Sequence, residues 1–451
     1  MDTRRSRPIV LRRQPADHAL RALESIDPVH ARLFAARGVT DPAELDYGLA
    51  GLVPVSSLEN LDAAVELLLG HRDKRILVIG DFDADGATST ALMLRCLGEF
   101  GFADVDYLVP NRFDYGYGLT PEIVRVAEER KPGLIVTVDN GISSNAGVAE
   151  AGRFGIPVLI TDHHLPGSEL PEAAVIVNPN LPGSRFSSRN LAGVGVAFYL
   201  MAALGRALEK GGKQGAAKIP AGYLDLVALG TVADVVPLDH NNRILVQQGL
   251  NRIRSGHTVP GIRALLEQAG RSLARVVASD LGFAAGPRVN AAGRLEDIAI
   301  GIECLLSDNP ETAAHHARLL DQINRERRDI EATMRAQALA FVESLDRRRW
   351  PSCVCLYEAS WHQGVVGLIA ARVREACHRP AIAFAREGAG RLKGSARSVP
   401  GVHARDLLEA VSATYPGLIE RFGGHAMAAG LTIATSDYER FATAAAEQLD
   451  R

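Results

Sequence analysis

Between Arg75 and about Asn180 the chain alternates short β-branched runs with helix-patterned segments, and no other feature narrows its fold so far. RILVIG, DVDYLVP, GLIVTVDNG, PVLITDHH and AAVIVNP are strand-like, while residues 87–100, 121–129 and 146–154 carry the helical period. Strands without a consistently polar face must be covered on both sides, which a parallel sheet flanked by helices achieves. The prediction is an α/β protein built on a doubly wound, mostly parallel sheet.

The rest of the chain is organised around that unit. With 451 residues, two or three packed cores are expected. Residues 1–70 read as a helical lead-in, with Leu20, Leu23, Ile26, Leu61, Ala64, Val65, Leu68 and Leu69 recurring at three and four. The sheet domain would occupy 71–308, its second half mostly helical. A long connecting helix is predicted over 309–348, and the strand–helix alternation then resumes over 349–451 as a second, smaller α/β domain.

Lys and Arg total 50 against 53 Asp and Glu, for a net charge of −3, so any site for a polyanion must be a local patch. The five cysteines are sparse and odd in number, which suits a reducing compartment. Cys353 and Cys355 would share one strand face, and no second Cys/His pair completes a zinc site, so both are expected in the core. No apolar run reaches membrane-spanning length, and the start MDTRRSRPIVLRRQPADH has too short an apolar stretch for a signal peptide. A cytoplasmic protein is expected.

Chemistry concentrates at the predicted strand ends. VIGDFDADGATST sets Asp81, Asp83 and Asp85 after a buried strand and before a helix, where open α/β sheets bind ligands. Taken alone, DFDADG reads equally as an acidic turn with an Asp helix cap. Two further strands end in kind, one in Asp139 and one in Asp162, His163 and His164, and Asp234 lies in an otherwise apolar helical stretch. Clustered carboxylates repel one another unless a cation lies between them. A carboxylate and imidazole set without cysteine fits two divalent ions sharing an Asp, with Mn²⁺ favoured over Mg²⁺ by the imidazole. The chain has no phosphate-binding G-x-x-x-x-G-K-[ST] loop and no G-x-G-x-x-G after a strand, so nucleotide-driven and hydride chemistry lack support.

The ordered motifs DFDADG, VDNG, TDHH and VADVVPL resemble the DHH phosphoesterase superfamily. WHQGVVGLIAARV, LKGSARS and GGHAMAAG are similar to its DHH-associated domain. With GPRVNAAGR, they resemble the branch that degrades single-stranded DNA from the 5′ end, a likeness running from about Arg75 to Leu431. It implies Asp83, Asp85, Asp139, His163 and Asp234 as metal ligands, with Asp139 bridging. Where the pyrophosphatase branch has a ligating His, this chain has Ile79, which makes Asp81 the substitute ligand or a partner behind the ligands. His164 would act with Asp139 and His163 in catalysis and donate to the phosphate, and Asp162 would orient an imidazole.

The resemblance also implies substrate contacts at Arg112, Arg288, Arg294, Ser395, Arg397 and His425. Strand alternation puts Lys393, Ser395 and Arg397 on one face, and Ser395 with Arg397 could clamp a 5′-phosphate. In GGHAMAAG the glycines would let amides approach a phosphate, and a helix-initiating turn is the structural alternative. Tyr115 and Tyr117 read either as base-stacking groups or as a packed turn. Trp361 and His362 read chiefly as structural.

The expected function is a two-metal exonuclease that releases 5′-mononucleotides from single-stranded DNA in repair and recombination. It would work as a monomer, alongside a single-strand-binding protein and a repair helicase, and without membrane contact. Relatives in this branch usually continue into an OB-fold. None is evident here, so DNA binding is expected to be weaker and salt-sensitive. The alternatives are a phosphodiesterase for short RNA or cyclic dinucleotides, whose members lack the lead-in and GPRVNAAGR, and a scaffold without metals.

Overall fold

The structure, a computed structural model, describes residues 13–110, 118–344 and 350–450. Its contacts divide the chain into a unit of Met1–Val289 with Ile298–Ala317, and a unit of Asn290–Asp297 with Arg318–Arg451.

The first unit opens with α1 (Asp17–Ala22), α2 (Pro28–Ala35) and α3 (Leu61–Leu69). The lead-in is not helical throughout. Three 3₁₀ turns at Pro42–Leu45, Leu49–Gly51 and Val55–Ser57 separate α2 from α3, two of them started by a proline, which fits the first turn of a helix. Then follow β1 (Arg75–Gly80), α4 (Ala84–Phe100), β2 (Asp104–Leu108), α5 (Pro121–Glu128), β3 (Leu134–Val138), α6 (Asn145–Arg153), β4 (Val158–Thr161) and β5 (Val175–Val177).

The five strands are parallel, in the order β2-β1-β3-β4-β5. Strand β3 is buried along its whole length, as its unbroken apolar run requires. Ile123, Val124, Ala127, Val148 and Ala151 of α5 and α6 close one face over Leu77, Ile79, Ile135 and Ile160. Alternation turns Val78 and Val136 to the other face, where α4 and α7 (Gly193–Lys210) pack. From β1 the chain moves outward to β2 and returns to β3 on the opposite side of β1. Such a reversal opens a crevice at the carboxyl ends of β1 and β3.

Helix α4 begins three residues before its apolar period does, because Asp83 caps it: Asp83 Oδ1 accepts the amides of Asp85 and Gly86 at 2.9 and 3.0 Å. The unit continues with α8 (Leu224–Ala233), α9 (His240–Arg254), α10 (Pro260–Gln268), α11 (Ala278–Asp280), a π-helical turn at Leu281–Ala285, α12 (Gly286–Leu295) and α13 (Ala299–Leu306). The predicted long helix is α14 (Pro310–Ser344), of 35 residues.

The second unit carries β6 (Val354–Tyr357), α15 (Val366–Cys377), β7 (Ala381–Arg386), β8 (Arg391–Arg397), α16 (Ala404–Thr414), β9 (Arg421–Gly424), β10 (Ala428–Ala434) and α17 (Tyr438–Asp450). Its order is β6-β7-β8-β10-β9, with β6 parallel to β7 and the remaining pairs antiparallel. Cys353 and Cys355 pack with Phe384 and Phe441, while Val354 and Leu356 pack on the opposite face with Trp361 and Met334. GGHAMAAG does not start a helix. It is the β9–β10 hairpin, in which the His425 amide donates to Ala428 O at 2.8 Å, so its glycines extend an edge strand instead. Among the described residues no helix is long and apolar enough to cross a membrane.

Candidate active site

Asp81, Asp83 and Asp85 follow β1, Asp139 follows β3, and Asp162, His163 and His164 follow β4, so three successive strand tips meet around the crevice. Asp234 joins them from elsewhere. It is the C-terminal cap of α8 rather than an interior helical residue, and the exposed Val235 beyond it takes a left-handed φ of 63°. Asp139 is also left-handed, at φ 61°. A β-branched residue in that region is strained, and strain of this kind is held where surrounding contacts over-determine a site.

Ligand atoms fall into overlapping groups whose members lie within 4.8 Å of one another: Asp81, Asp83 and Asp139; Asp85, His163 and Asp234; Asp139, His163 and His164. His163 Nε2 stands 3.1 Å from Asp139 Oδ1 and 3.5 Å from Asp234 Oδ2. That nitrogen is buried and makes no hydrogen bond, so the ring's bond to the Leu191 backbone falls to Nδ1. A ring held by an Nδ1–H to a carbonyl has its Nε2 lone pair free to ligate. A lone pair aimed at carboxylates is repulsive until a cation separates them. This donor set therefore fits divalent metal.

The electrostatics agree. Burial, reinforced by neighbouring carboxylates, pushes Asp85 and Asp139 well above the usual carboxylate range. Burial and the charge of Asp83 raise Asp234 to about 6. Burial and the adjacent His164 lower His163 to about 4, leaving it neutral. For His164, burial opposes the charged form, but the hydrogen bond and charge of Asp162, with Asp81 and Asp234, prevail and lift it to about 9. Without bound metal, the two adjacent imidazoles, 4.5 Å between centroids, are thus biased apart, His163 toward the neutral form and His164 toward the cationic one.

Sequence reasoning passed over the residues that hold this arrangement. Asp85 takes the amides of Gly193 and Val194, at 2.6 and 2.9 Å, from the first turn of α7, where the helix dipole favours an anion. Gly193 is there because a Cβ would come within 2.6 Å of Asp139 Cβ. Asn140 Nδ2 donates to Ile79 O and Val138 O, tying β1 to β3 at their tips. Asn180 and Asn178 donate to the carbonyls of His163 and His164. The N-G after Asp139 and the N-P-N after β5 were visible as turn chemistry, but a turn residue has no signature for bracing a distant strand.

The remaining residues divide between the units. Arg288, in the first unit, donates to Ala284 O one turn earlier in its helix. In the second unit Lys393, Ser395 and Arg397 share the half-buried face of β8, and Arg397 Nη1 donates to Ser395 Oγ at 3.0 Å. A Cβ on Gly367 would lie 2.9 Å from Arg397 Nη2 and 3.1 Å from Ser395 Oγ, so both side chains reach the first turn of α15. Arg294 Nη1 meets Gly364 O just before that turn, and Ala428 of the hairpin pairs with Arg397. His425 is exposed at the hairpin turn. Arginines around a helix N-terminus form an anion-binding arrangement. Arg112, Tyr115 and Tyr117 lie outside the described residues. Trp361 is buried and donates to Gln337 Oε1 at 2.8 Å, which is a structural role.

An open parallel sheet with a D-H-H strand end on the strand next to its switch point defines a DHH-type protein, and residues 75–231 match the DHH family, N-terminal domain, with residues 351–450 matching the DHHA1 domain. The single-stranded-DNA-specific exonuclease RecJ of Escherichia coli (strain K12) is 52% identical over 441 residues, 96% of this chain and 76% of that protein. The chain belongs to the RecJ family. A crystal structure of exonuclease RecJ bound to manganese superposes with a TM-score of 0.76 at 34% identity, over 88% of this chain and 96% of the other. The crystal structure of RecJ from Thermus thermophilus in complex with Mn²⁺ gives a TM-score of 0.82 at 32% identity, over 96% of this chain and 60% of the other.

Proposed function

We propose that the protein is a 5′ to 3′ exonuclease that hydrolyses single-stranded DNA to 5′-mononucleotides, using two divalent cations, Mn²⁺ or Mg²⁺. The observation that carries this reading is the convergence of Asp81, Asp83, Asp85, Asp139, His163 and Asp234 in overlapping groups, in which a His163 nitrogen without a hydrogen bond faces Asp139 and Asp234. A pair of divalent cations in this position would acidify water and neutralise charge developing on phosphoryl oxygens. Asp81 and Asp83 suit one ion and Asp85, His163 and Asp234 the other, with Asp139, which groups both with Asp81 and Asp83 and with His163, suited to bridge them.

The chain's own groups supply the rest. His164, held cationic by Asp162, is poised to donate a proton or hydrogen bond to a phosphate oxygen. Ser395 and Arg397, at the first turn of α15, are suited to a terminal 5′-phosphate, with Arg294 and His425 contributing from the same unit. Arg288 and Arg112 are the further candidates for contact with the DNA backbone. Salt-sensitive binding follows from such contacts. A monomer working in the cytoplasm with a single-strand-binding protein and a repair helicase fits this role, as does the proposed division into lead-in (1–70), catalytic (71–308), connecting (309–348) and substrate-binding (349–451) segments.

The test is product sizing on 5′- and 3′-end-labelled single-stranded DNA, with and without Mn²⁺. Mononucleotides released from the 5′ end only in the presence of metal are expected. Turnover of a cyclic dinucleotide in place of DNA, or no metal requirement, would overturn the reading.

A further inference from the structure

Among the exposed large apolar side chains of the first unit, Val235 and Leu238 follow the carboxyl end of α8, the end that presents Asp234, and Phe283 lies on a turn that packs on the same helix. Val235 is 83% exposed, Leu238 44% and Phe283 78%. Phe283 is far along the chain from the other two, but its π-helical turn packs on α8. A Cβ on Gly282 would lie 3.1 Å from Val232 Cγ1, and one on Gly286 would lie 3.0 Å from Ala233 Cβ. The turn bearing Phe283 is therefore seated against the two residues that lead into Asp234.

Local geometry makes this exposure costly for the fold. Val235 holds a left-handed backbone that glycine or asparagine would adopt more easily, and that conformation directs a branched apolar side chain outward immediately after a residue of the active site. Phe283 lies on a π-helical turn, a wide geometry that is unfavourable without a function and that recurs at functional sites. Both side chains are largely exposed, so core packing does not account for either. Two unrelated departures from favourable backbone, each ending in an exposed apolar side chain beside the same helix end, point to a ligand with apolar faces.

We propose that Val235, Leu238 and Phe283 form a ledge on which a nucleobase of the single strand stacks as its phosphate enters the active site. This rests on the function proposed above and assigns the site a sequence-tolerant contact with bases in addition to phosphate. The ledge is uncharged and continuous with a site that handles a phosphodiester chain, and a base is the apolar face such a chain carries. Every base has a π-face, so the contact would strengthen binding without selecting sequence. Arg288, one turn beyond the π-helical segment, would hold the backbone alongside.

The experiment is a cycle between protein and DNA. Binding of a 5′-phosphorylated oligonucleotide is compared with that of an equal-length strand carrying abasic residues at its first nucleotides, for the wild-type protein and for Phe283→Ala, in Ca²⁺ to prevent cleavage. The wild type is expected to prefer the base-bearing strand by roughly ten-fold, and Phe283→Ala to lose most of that preference, with Phe283→Trp restoring it. Val235→Asn, which keeps the left-handed backbone, should also reduce the preference. A preference unchanged by Phe283→Ala overturns the ledge. So does a shift in oligomeric state by light scattering without a change in preference, which would make the patch a contact between copies. Failure of the wild type to cleave single-stranded DNA in Mn²⁺ would instead overturn the function itself, a result read separately from the cycle.

Discussion

His164 Nδ1 lies 2.8 Å from Asp162 Oδ1, and the same oxygen accepts the backbone amides of His163 and His164 at 2.7 and 3.0 Å. One buried carboxylate therefore sets the positions of both imidazoles and the charge of one. Its second oxygen takes the Ile142 amide at 2.9 Å, anchoring the loop after β3. Burial works against its ionisation, but His164 and these amides together hold Asp162 below the usual carboxylate range.

Asp162→Asn removes the charge that keeps His164 protonated up to about 9. The His164 value should fall, so the alkaline limit of cleavage should move to lower pH, with kcat/KM at pH 8 down by about ten- to hundred-fold. Profiles of kcat/KM against pH check this. An alkaline limb left in place would show that His164 is not the titrating donor.

Asp139→Asn should abolish cleavage while preserving the fold, since asparagine tolerates the left-handed backbone that Asp139 occupies. It also removes one charge from a crowded set. Thermal melts should show the metal-free variant at least as stable as the wild type but without the wild-type rise in Tm on adding Mn²⁺. A retained Mn²⁺ shift would argue against Asp139 as a ligand.

Without metal, stability should fall as pH rises from about 4 through about 6. Asp85, Asp139 and Asp234 have folded values raised above their unfolded value of 3.8, so across this window the folded state binds more protons than the unfolded one. His163, depressed to about 4, acts in the opposite direction between 4 and 6.5, but it is one group against three. Chemical denaturation at pH 5 and pH 7 in chelator should show the higher stability at pH 5. Mn²⁺ should reverse that order by neutralising the carboxylates.

Gly193→Ala should weaken Mn²⁺ binding and cleavage together, because the new Cβ would press on Asp139 Cβ at 2.6 Å and displace the turn that clasps Asp85. An overpacking cost of about 1–3 kcal/mol is expected. Calorimetric titration of Mn²⁺ measures the effect, and an unaltered affinity would mean that the helix shifts freely.

Arg397→Lys should reduce the preference for a 5′-phosphate over a 5′-hydroxyl end by roughly ten-fold, since lysine keeps the charge but not the planar fork. Cleavage rates on the two strands give the ratio. Equal loss on both would assign Arg397 to general backbone binding.

Much of this was legible in the chain because the signals are local. The run LIVTV announces a strand buried on both faces, and the ligand-type residues sit at the ends of such runs whatever surrounds them. Helix α14 was readable from its apolar period alone. Polar helix starts carry no such period, and α4 accordingly began earlier than expected. The hairpin in GGHAMAAG escaped because an edge strand rich in glycine lacks the alternation that marks one with a buried face.

The sequence by itself determined the α/β layering, the buried strands, and which residue types stand at each strand tip, because periodicity and side-chain chemistry act within a few residues. Only the tertiary structure decided that β1 lies beside β3, that the first turn of α7 would grip Asp85, and that a lone pair on His163 would face two carboxylates. Those relations join positions tens to more than a hundred residues apart, and they follow from strand order and helix packing, which close-range patterns do not encode.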